Sequence, residues 1–549
     1  MLNKIVKFKN FVGSETWYYL IISIIVGFAW FLVESSFVFV MQGFLFSIGL
    51  ISKSQTFLPS WYPIKLSFSL FILILFGFAR ASVYMFKTFY ASKTQGAFVC
   101  EQRKGLLKYG LKNAKITSSK RIITAFTEVT TQAGGVVYSI STFLNAFISG
   151  ALFFAMGLRL AIYEMLIGVG LLAIFMLPLK KMARKTNKYG ITLIEEWEVI
   201  SDYLIKGLKN YFFLSIYNQV EVELQKGEEG LNRFKENYYS YSKVVGLISS
   251  FPLLVGVVVL SAITSLSVNY LHTDAVKLVS FFYLFIRLAQ AASEANATYT
   301  NIRFNLPGLK ILYDWKLKLI ESELEVKLPV KKINESAVRI EFRDVAFGYE
   351  KQKILFEHLD FKLTSGDVLI IKGESGTGKS TLLSLILDEN KPILGDVIIN
   401  GVSTKVYKLD LQDILAYVGP EPYMIAGSIK ENLTYGLQNF KLSDDEIWGI
   451  LKKIHIFDLI FNLEHKLDEK IYDIPQFSTG QKQRLSFARA LVRNPKLLIL
   501  DEATSNLDLE TENIIIDNLK DALKEFTTVI VTHKDSFDKI GTKFINLKK

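Results

Sequence analysis

The sequence has little of several features that would indicate a secreted or repetitive protein. Its 549 residues include a single cysteine, Cys100, so no disulfide can form within the chain. It contains no internal repeat and no low-complexity tract. The apolar run that begins at Tyr18 is longer than a signal-peptide core and lacks a small-residue cleavage pattern. We therefore expect a retained first membrane-spanning helix.

The composition is that of a membrane protein with a soluble half. Half of the residues are hydrophobic, and 21% are charged. The chain is too long for one compact domain, and the length predicts two to four. Much of the formal net charge of +11 lies near residues 103–121 and 180–243, between apolar runs. This placement is typical of cytosolic loops and disfavours nucleic acid as a partner.

Six apolar runs predict six membrane-spanning helices, because each approaches the ~20 residues needed to cross ~30 Å of hydrocarbon. They cover about 18–43, 64–86, 136–156, 158–180, 244–268 and 275–298. The long polar stretches between them carry the Lys and Arg excess, so we place those stretches and both termini in the cytosol. Apolar residues at helical spacing in 195–208 and 220–234 predict that spanning helices continue beyond the membrane. Separate soluble inserts are the alternative.

The pattern changes after a charged linker at residues 321–336. Residues 337–549 alternate short apolar runs with helical patterns, including DVLIIKG, KLLILDEA and TTVIVTH, which predicts a mainly parallel sheet. The predicted fold is a multidomain membrane protein. A six-helix α-helical transmembrane domain with long cytosolic helix extensions (residues 1–320) precedes an α/β domain.

A phosphate-binding loop directly follows the strand that ends at Lys372. The spacing Gly-x-x-x-x-Gly-Lys-Ser, with a helix after it, is the setting that this motif requires. Lys379 is expected to reach the β- and γ-phosphates, and Ser380 to hold Mg²⁺. The second domain is therefore predicted to be an α/β P-loop NTPase domain. The predicted nucleotide-binding residues here are Gly373, Glu374, Ser375, Gly376, Thr377, Gly378, Lys379, Ser380 and Thr381.

Two later strands end in residues suited to hydrolysis. Asp501 and Glu502 follow a four-residue apolar run, and His533 ends the next strand. We expect Asp501 to position Mg²⁺ and Glu502 to orient the attacking water. Glu502 and Lys379 are both predicted to be catalytic residues. His533 is a candidate γ-phosphate contact because ligands bind at the carboxyl edge of such sheets.

The segment FSTGQ at residues 477–481, together with these motifs, resembles the ATP-binding cassette (ABC) transporter family, in the form of an exporter-type half-transporter. The resemblance implies that Tyr349 stacks on adenine and that residues 505–508 form the loop after the catalytic Glu. It also implies that Ser478, Gly480 and Gln481 complete the ATP site of a second half-transporter subunit.

Three positions depart from that family's pattern. Phe477 and Thr479 stand in the signature where Leu and Gly are usual, and Pro420 stands where a Gln that contacts Mg²⁺ is usual. Proline has no side-chain donor or acceptor and cannot perform that role. An active homodimer and one half of a heterodimer with unequal sites both remain open, and we favour the homodimer.

A polar stripe in the last predicted span is a candidate transport path. Arg287, Gln290, Glu294 and Asn301 fall within one narrow sector at helical spacing. Charge in a membrane helix usually faces a cavity, although an Arg287–Glu294 link or a cytosolic extension would also explain it. Glu34 and Arg80 in the first two spans raise the same question. By resemblance, short elements near 117–122 and 209–217 dock on the ATP domains.

The expected function is ATP-driven export or flipping of a substrate by alternating access in a dimer. The cofactors are ATP and Mg²⁺, the partners are membrane lipid and a transported substrate, and the location is a bacterial inner or plasma membrane. Lipids, hydrophobic compounds and peptides are the candidate cargoes. The alternatives are an importer with the exporter fold, and an ATP-binding membrane regulator that moves nothing.

Overall fold

The computed structural model describes residues 8–49, 65–112, 119–271, 275–324, 328–333, 337–349, 354–437, 442–471 and 477–547. The chain divides into two compact units, Met1–Glu323 and Leu324–Lys549. The first unit is helical, and the second combines helices with three sheets.

The described part of the first unit is built from long α-helices joined by short elements. The helices are α1 (Ser14–Ser47), α2 (Leu66–Lys112), α3 (Ser119–Thr124), α4 (Thr130–Leu160), α5 (Ile162–Lys209), α6 (Tyr211–Ile216), α7 (Val220–Leu266) and α8 (Ala275–Leu324). A π-helical turn, Ala125–Val129, precedes α4, and another, Ser267–Leu271, follows α7.

Within the described ranges, five helical segments are long and apolar enough to cross a membrane, so this half makes the chain an integral membrane protein. They are Ser14–Ser47, Leu66–Leu111, Lys120–Leu160, Ile162–Lys209 and Val220–Leu266. The sixth predicted span, 275–298, lies in α8, which is not one of the five.

Helix α5 is much longer than a bilayer is thick. Its 48 residues rise about 72 Å at 1.5 Å per residue, against about 30 Å of hydrocarbon. Residues 195–208 lie in its second half, and residues 220–234 open α7. The segments predicted to extend spanning helices are therefore continuous with them. The predicted docking element near 209–217 includes the short helix α6, whereas residues 117 and 118 of the other lie outside the described residues.

Helices α5 and α8 approach each other closely enough for backbone contact. The Asn187 side chain donates to the Arg303 carbonyl at 3.0 Å. At Gly190, a Cβ atom would lie 1.9 Å from the carbonyl oxygen of Phe304. Only a residue without a side chain fits between the two helices at this point.

We predict that Gly190→Ala separates α5 from α8 and costs about 1–3 kcal/mol of packing free energy. Gly207→Ala is the matched control, because it changes the same helix where a Cβ would meet no atom within 4 Å. Thermal unfolding of the full chain in detergent, followed by size-exclusion chromatography, should show a lower midpoint for Gly190→Ala only. Equal midpoints for the two variants would contradict close packing at Gly190.

The second unit contains eleven strands and six α-helices among its described residues. The strands are β1 (Val330–Lys332), β2 (Ile340–Phe347), β3 (Phe356–Leu363), β4 (Val368–Gly373), β5 (Leu394–Ile399), β6 (Val402–Ser403), β7 (Lys408–Asp410), β8 (Leu415–Val418), β9 (Leu497–Asp501), β10 (Thr527–Val531) and β11 (Lys543–Leu547). The helices are α9 (Lys379–Ile386), α10 (Ile429–Leu433), α11 (Asp444–Lys453), α12 (Phe457–Phe461), α13 (Thr479–Val492) and α14 (Leu509–Leu519).

A five-stranded parallel sheet forms the centre of this unit, in the order β11-β4-β10-β9-β8. Strand β10 pairs with β4 on one side and β9 on the other, with Val531 opposite both Ile371 and Asp501. The carboxyl ends of the three strands therefore lie side by side. This confirms the predicted α/β fold. The antiparallel sheet β3-β2-β5-β6 and the pair β1-β7 were not predicted.

Candidate functional site

The phosphate loop connects β4 to α9 through backbone that only glycine adopts easily. Gly376 and Gly378 have φ angles of 84° and 97°, in the left-handed region. Gly378 is also the N-cap of α9, so the free N–H groups of the first turn begin here. A loop of this shape at a helix N-terminus binds phosphate.

The Lys379 side chain spans the phosphate loop. Its Nζ donates to the carbonyl oxygens of Gly373 at 2.9 Å and Glu374 at 2.8 Å. The Thr377 hydroxyl donates to the same Glu374 carbonyl at 2.9 Å. Side chains of the loop itself therefore hold its conformation, and the Lys379 ammonium group contacts the loop backbone.

Glu502 and His533 meet because their strands are neighbours. His533 Nε2 lies 3.0 Å from Glu502 Oε1, and the Glu502 backbone N–H donates to the Val531 carbonyl at 2.9 Å. Glu502 adopts a φ of 48°, which is uncommon for a residue other than glycine. The backbone thus directs this carboxylate toward the histidine at some conformational cost.

Tyr417 contacts the metal candidate Asp501 and was not singled out in the sequence. Its hydroxyl donates to Asp501 Oδ2 at 3.1 Å, since β8 pairs with β9. Burial raises the pKa of the Asp501 carboxyl, and the Tyr417 hydrogen bond opposes that rise. The sequence has no local signal for this contact, because the contact depends on the pairing of β8 with β9.

A cavity of ≈ 540 Å³ joins the adenine candidate to the phosphate loop and Glu502. Its lining comprises Tyr349, Leu355, Ser375, Gly376, Gly378, Lys379, Ser380, Thr381 and Glu502. The Tyr349 hydroxyl lies 3.1 Å from Thr381 Oγ1, and its ring is largely exposed. Gly373, Glu374, Thr377 and His533 line a separate cavity of ≈ 570 Å³.

The signature residues are not among those that line either cavity. Ser478 caps α13: its hydroxyl accepts from the Gln481 N–H at 3.2 Å, and Gln481 Oε1 accepts from the Ser478 N–H at 2.8 Å. A Cβ at Gly480 would lie 2.8 Å from the carbonyl oxygen of Asn506. The start of α13 therefore packs directly on the loop that follows Glu502.

The segment around Pro420 is tied to that same loop through its backbone. The Pro420 carbonyl accepts from the Asn506 side chain at 3.2 Å and from Gln483 Nε2 at 3.5 Å. Asn506 also donates to Gln483 Oε1 at 2.8 Å. This triad of Pro420, Gln483 and Asn506, which sequence reasoning missed, links three motifs without a glutamine at position 420.

The residues present fit a magnesium nucleotide. Ser380 and Asp501 are oxygen ligands of the kind that Mg²⁺ prefers, and Mg²⁺ commonly takes its remaining ligands from water and substrate phosphates. Across the described residues, no group of three or more His, Cys, Asp or Glu could hold a metal alone.

The helical unit has a cavity of its own, of ≈ 590 Å³. Three of the four stripe residues line it (Arg287, Gln290 and Glu294), whereas Asn301 does not and instead accepts from the Tyr241 hydroxyl. Glu34 and Arg80 line it as well.

The pairing of charges in this cavity differs from the suggested Arg287–Glu294 link. Arg287 pairs with Glu34 at 2.8 Å, and Glu294 pairs with Lys87 at 3.0 Å. Lys87 was missed because it lies beyond the predicted end of the second span.

Comparison with known proteins identifies the second unit. Residues 356–505 match the family model for the ABC transporter. Residues 356–505 therefore belong to the ABC transporter family. An uncharacterized ABC transporter ATP-binding protein of Sinorhizobium fredii is 30% identical over 298 residues, 53% of this chain and 49% of that protein. A putative ABC transporter ATP-binding protein of Mycoplasma genitalium is 26% identical, over 75% of this chain and 70% of that one. The chain thus spans about half the length of the first relative.

A likeness to a solved structure extends to the helical unit. A bacterial Atm1-family ABC exporter with ATP bound matches 97% of this chain and 94% of its own, with a TM-score of 0.74 and 18% sequence identity. At that identity the likeness concerns the fold alone. The shared fold covers both the helical unit and the unit that contains the phosphate loop.

We predict that Asn506→Ala loosens the segment around Pro420. The variant removes the two hydrogen bonds from Asn506 to Pro420 and Gln483, each worth about 0.5–1.5 kcal/mol. Amide hydrogen exchange of the full chain should become about tenfold faster in peptides covering residues 415–424. Asn518→Ala, which removes one exposed hydrogen bond to the Lys453 carbonyl, is the control. Unchanged exchange in Asn506→Ala would show that the triad does not restrain the segment.

Proposed function

We propose that this chain is an ATP-hydrolysing transporter subunit that exports or flips its cargo across a membrane. The observation that carries the proposal is the contact between Glu502 and His533 at the edge where the phosphate loop begins. A regulator that only binds ATP has no need of this pair. Five helical segments long and apolar enough to cross a membrane support a membrane-bound activity.

The residues divide the work of hydrolysis between them. The phosphate-loop N–H groups and Lys379 bind the β- and γ-phosphates, while Ser380 and Asp501 hold Mg²⁺, which neutralises phosphate charge when bound. Glu502 orients the attacking water and accepts its proton. His533, 3.0 Å from Glu502, fixes that carboxylate and contacts the γ-phosphate side. Tyr349 stacks on the adenine ring.

Two copies of the chain complete each other's ATP sites. Ser478, Gly480 and Gln481 do not line the cavity that holds their own phosphate loop. Ser478 and the N-terminus of α13 suit a phosphate presented by another subunit. We favour a homodimer, with the ATP-binding domains and both termini in the cytosol of a bacterium.

The lining of the membrane cavity indicates the class of cargo. A lipid, a hydrophobic compound or a peptide fits a cavity that has both charged and aromatic walls. Export or flipping is favoured because the fold resembles that of an exporter.

Replacement of Glu502 by Gln should abolish magnesium-dependent ATP hydrolysis, because water then lacks its proton acceptor. We expect a loss of about 10²–10⁴-fold with nucleotide binding retained. Glu510→Gln, an isosteric change in the exposed first turn of α14, is the control. Both variants are measured in liposomes for phosphate release and for movement of a fluorescent lipid. Unchanged hydrolysis in Glu502→Gln would refute the assignment.

Mixed dimers test the shared site. Lys379→Ala disables the phosphate loop, and Ser478→Arg blocks the signature, so each variant alone should hydrolyse almost no ATP. Co-expression with two different affinity tags should yield a mixed dimer with one intact site and measurable hydrolysis. An inactive mixed dimer, when the unsubstituted chain is active alone, would contradict completion across subunits. An unsubstituted chain that is inactive until a second gene product is added would indicate a heterodimer.

A further inference from the structure

The cavity in the helical unit has unequal numbers of positive and negative groups. Arg80, Lys87 and Arg287 line it, against two carboxylates, Glu34 and Glu294. Three cations and two anions leave one positive charge in excess. A charge among membrane helices is costly without a partner, so an excess cation on a cavity wall indicates a binding role.

Glu34 lies at the centre of this cluster, and both of its carboxylate oxygens have polar partners. Its side chain is 1% exposed. One carboxylate oxygen accepts from Arg80 Nε at 2.6 Å, and the other lies 2.8 Å from Arg287 Nη2 and 2.9 Å from the Tyr283 hydroxyl. Because one buried carboxylate serves two guanidinium groups, it neutralises only one of them.

Arg80 is the group with unused donors. Arg287 uses Nε on the Tyr283 hydroxyl, Nη1 on Gln290 and Nη2 on Glu34. The Lys87 ammonium donates to both oxygens of Glu294. Among the described residues, by contrast, only Nε of Arg80 has a hydrogen-bond partner, and its side chain is 37% exposed. The two terminal nitrogens remain as a fork, the geometry that binds carboxylate or phosphate in a bidentate manner.

The wall beside this fork is aromatic. The Trp30 ring lies 5.9 Å from the Arg80 guanidinium and 5.2 Å from the Tyr84 ring. Phe153 lines the same cavity. A ligand whose acidic group engages Arg80 would therefore lay an apolar body against these rings.

We propose that this cavity binds an amphipathic organic anion, with a carboxylate or phosphate head group on Arg80 and an apolar body against Trp30, Tyr84 and Phe153. The inference rests on the proposed transport function and specifies its cargo class. Glu34 acts as a positioning residue that turns Nε of Arg80 inward and leaves the terminal nitrogens for the ligand.

The test uses the full chain in nanodiscs of phosphatidylcholine and measures the binding of radiolabelled dodecyl phosphate. Dodecyltrimethylammonium has the same chain with the opposite charge, and inorganic phosphate is the head group alone. We expect unlabelled dodecyl phosphate to displace the probe, and neither of the other two to do so at the same concentration. Displacement by inorganic phosphate would overturn the need for an apolar body, and displacement by the cation would overturn anion selectivity.

Variants locate the site. Arg80→Gln should weaken binding of dodecyl phosphate about tenfold or more, because it removes the charge and the fork. Arg80→Lys, which keeps the charge but loses the fork, should show an intermediate loss. Arg159→Gln, a change at the end of α4 away from the cavity, should bind the probe normally. If Arg80→Gln and Arg159→Gln bind equally well, the proposal is wrong. If Arg80→Gln fails to fold, two other measurements test the proposal: the ligand selectivity of the unsubstituted chain, and the binding of dodecyl phosphate by Arg80→Lys.

One further arm distinguishes two sources of such an anion. Phosphatidic acid added to the nanodiscs should displace the probe if the bilayer supplies the ligand, and should fail to do so if the ligand is a soluble amphiphile. Either result requires the same dependence on Arg80.

The proposed function is judged separately from the same preparation. Arg80-dependent binding in a chain that hydrolyses no ATP would refute the transporter and leave the anion site standing. Normal ATP hydrolysis and lipid movement without anion selectivity would support the transporter and refute the anion site.

Discussion

The pairing of β10 between β4 and β9 is the constraint on which the ATP site depends. Parallel pairing places every strand's carboxyl end at one edge of the sheet. The phosphate loop, the Glu502 carboxylate and the His533 ring are far apart in the sequence, and they converge because of this register. A shift by one residue would turn alternate side chains to the opposite face. The buried Val, Leu and Ile residues of these strands, packed on both faces, hold that register.

Much of this arrangement could be predicted, because its signals are local. Glycines that must adopt positive φ can be recognised within a few residues, and so can a strand that ends at Asp501 and is followed by Glu502. The contacts that were missed join distant segments through side chains that are ordinary by themselves. Tyr417 is one of 25 tyrosines, and only the pairing of β8 with β9 brings its hydroxyl to Asp501. Asn506 was noted only as part of a loop.

In the membrane half, too, local features could be predicted from the sequence, whereas contacts between distant segments could not. Apolar runs predicted where most long helices lie, since hydrocarbon thickness sets their length. Helical spacing also predicted that Arg287, Gln290 and Glu294 share a face. It could not predict which carboxylate meets which cation, because those partners come from α1 and α2. The roles of the site residues in binding and hydrolysis remain predictions, and so do the boundaries of the two domains.

The triad of Pro420, Gln483 and Asn506 has an evolutionary consequence. The acceptor at its centre is a peptide carbonyl, which every amino acid carries. Drift at position 420 alone therefore cannot delete that acceptor, whereas the two donors are encoded by side chains that a single codon change can remove. Among homologues, we therefore expect substitutions that weaken these hydrogen bonds to occur at positions 483 and 506. A substitution at one of the two positions should favour a compensating substitution at the other.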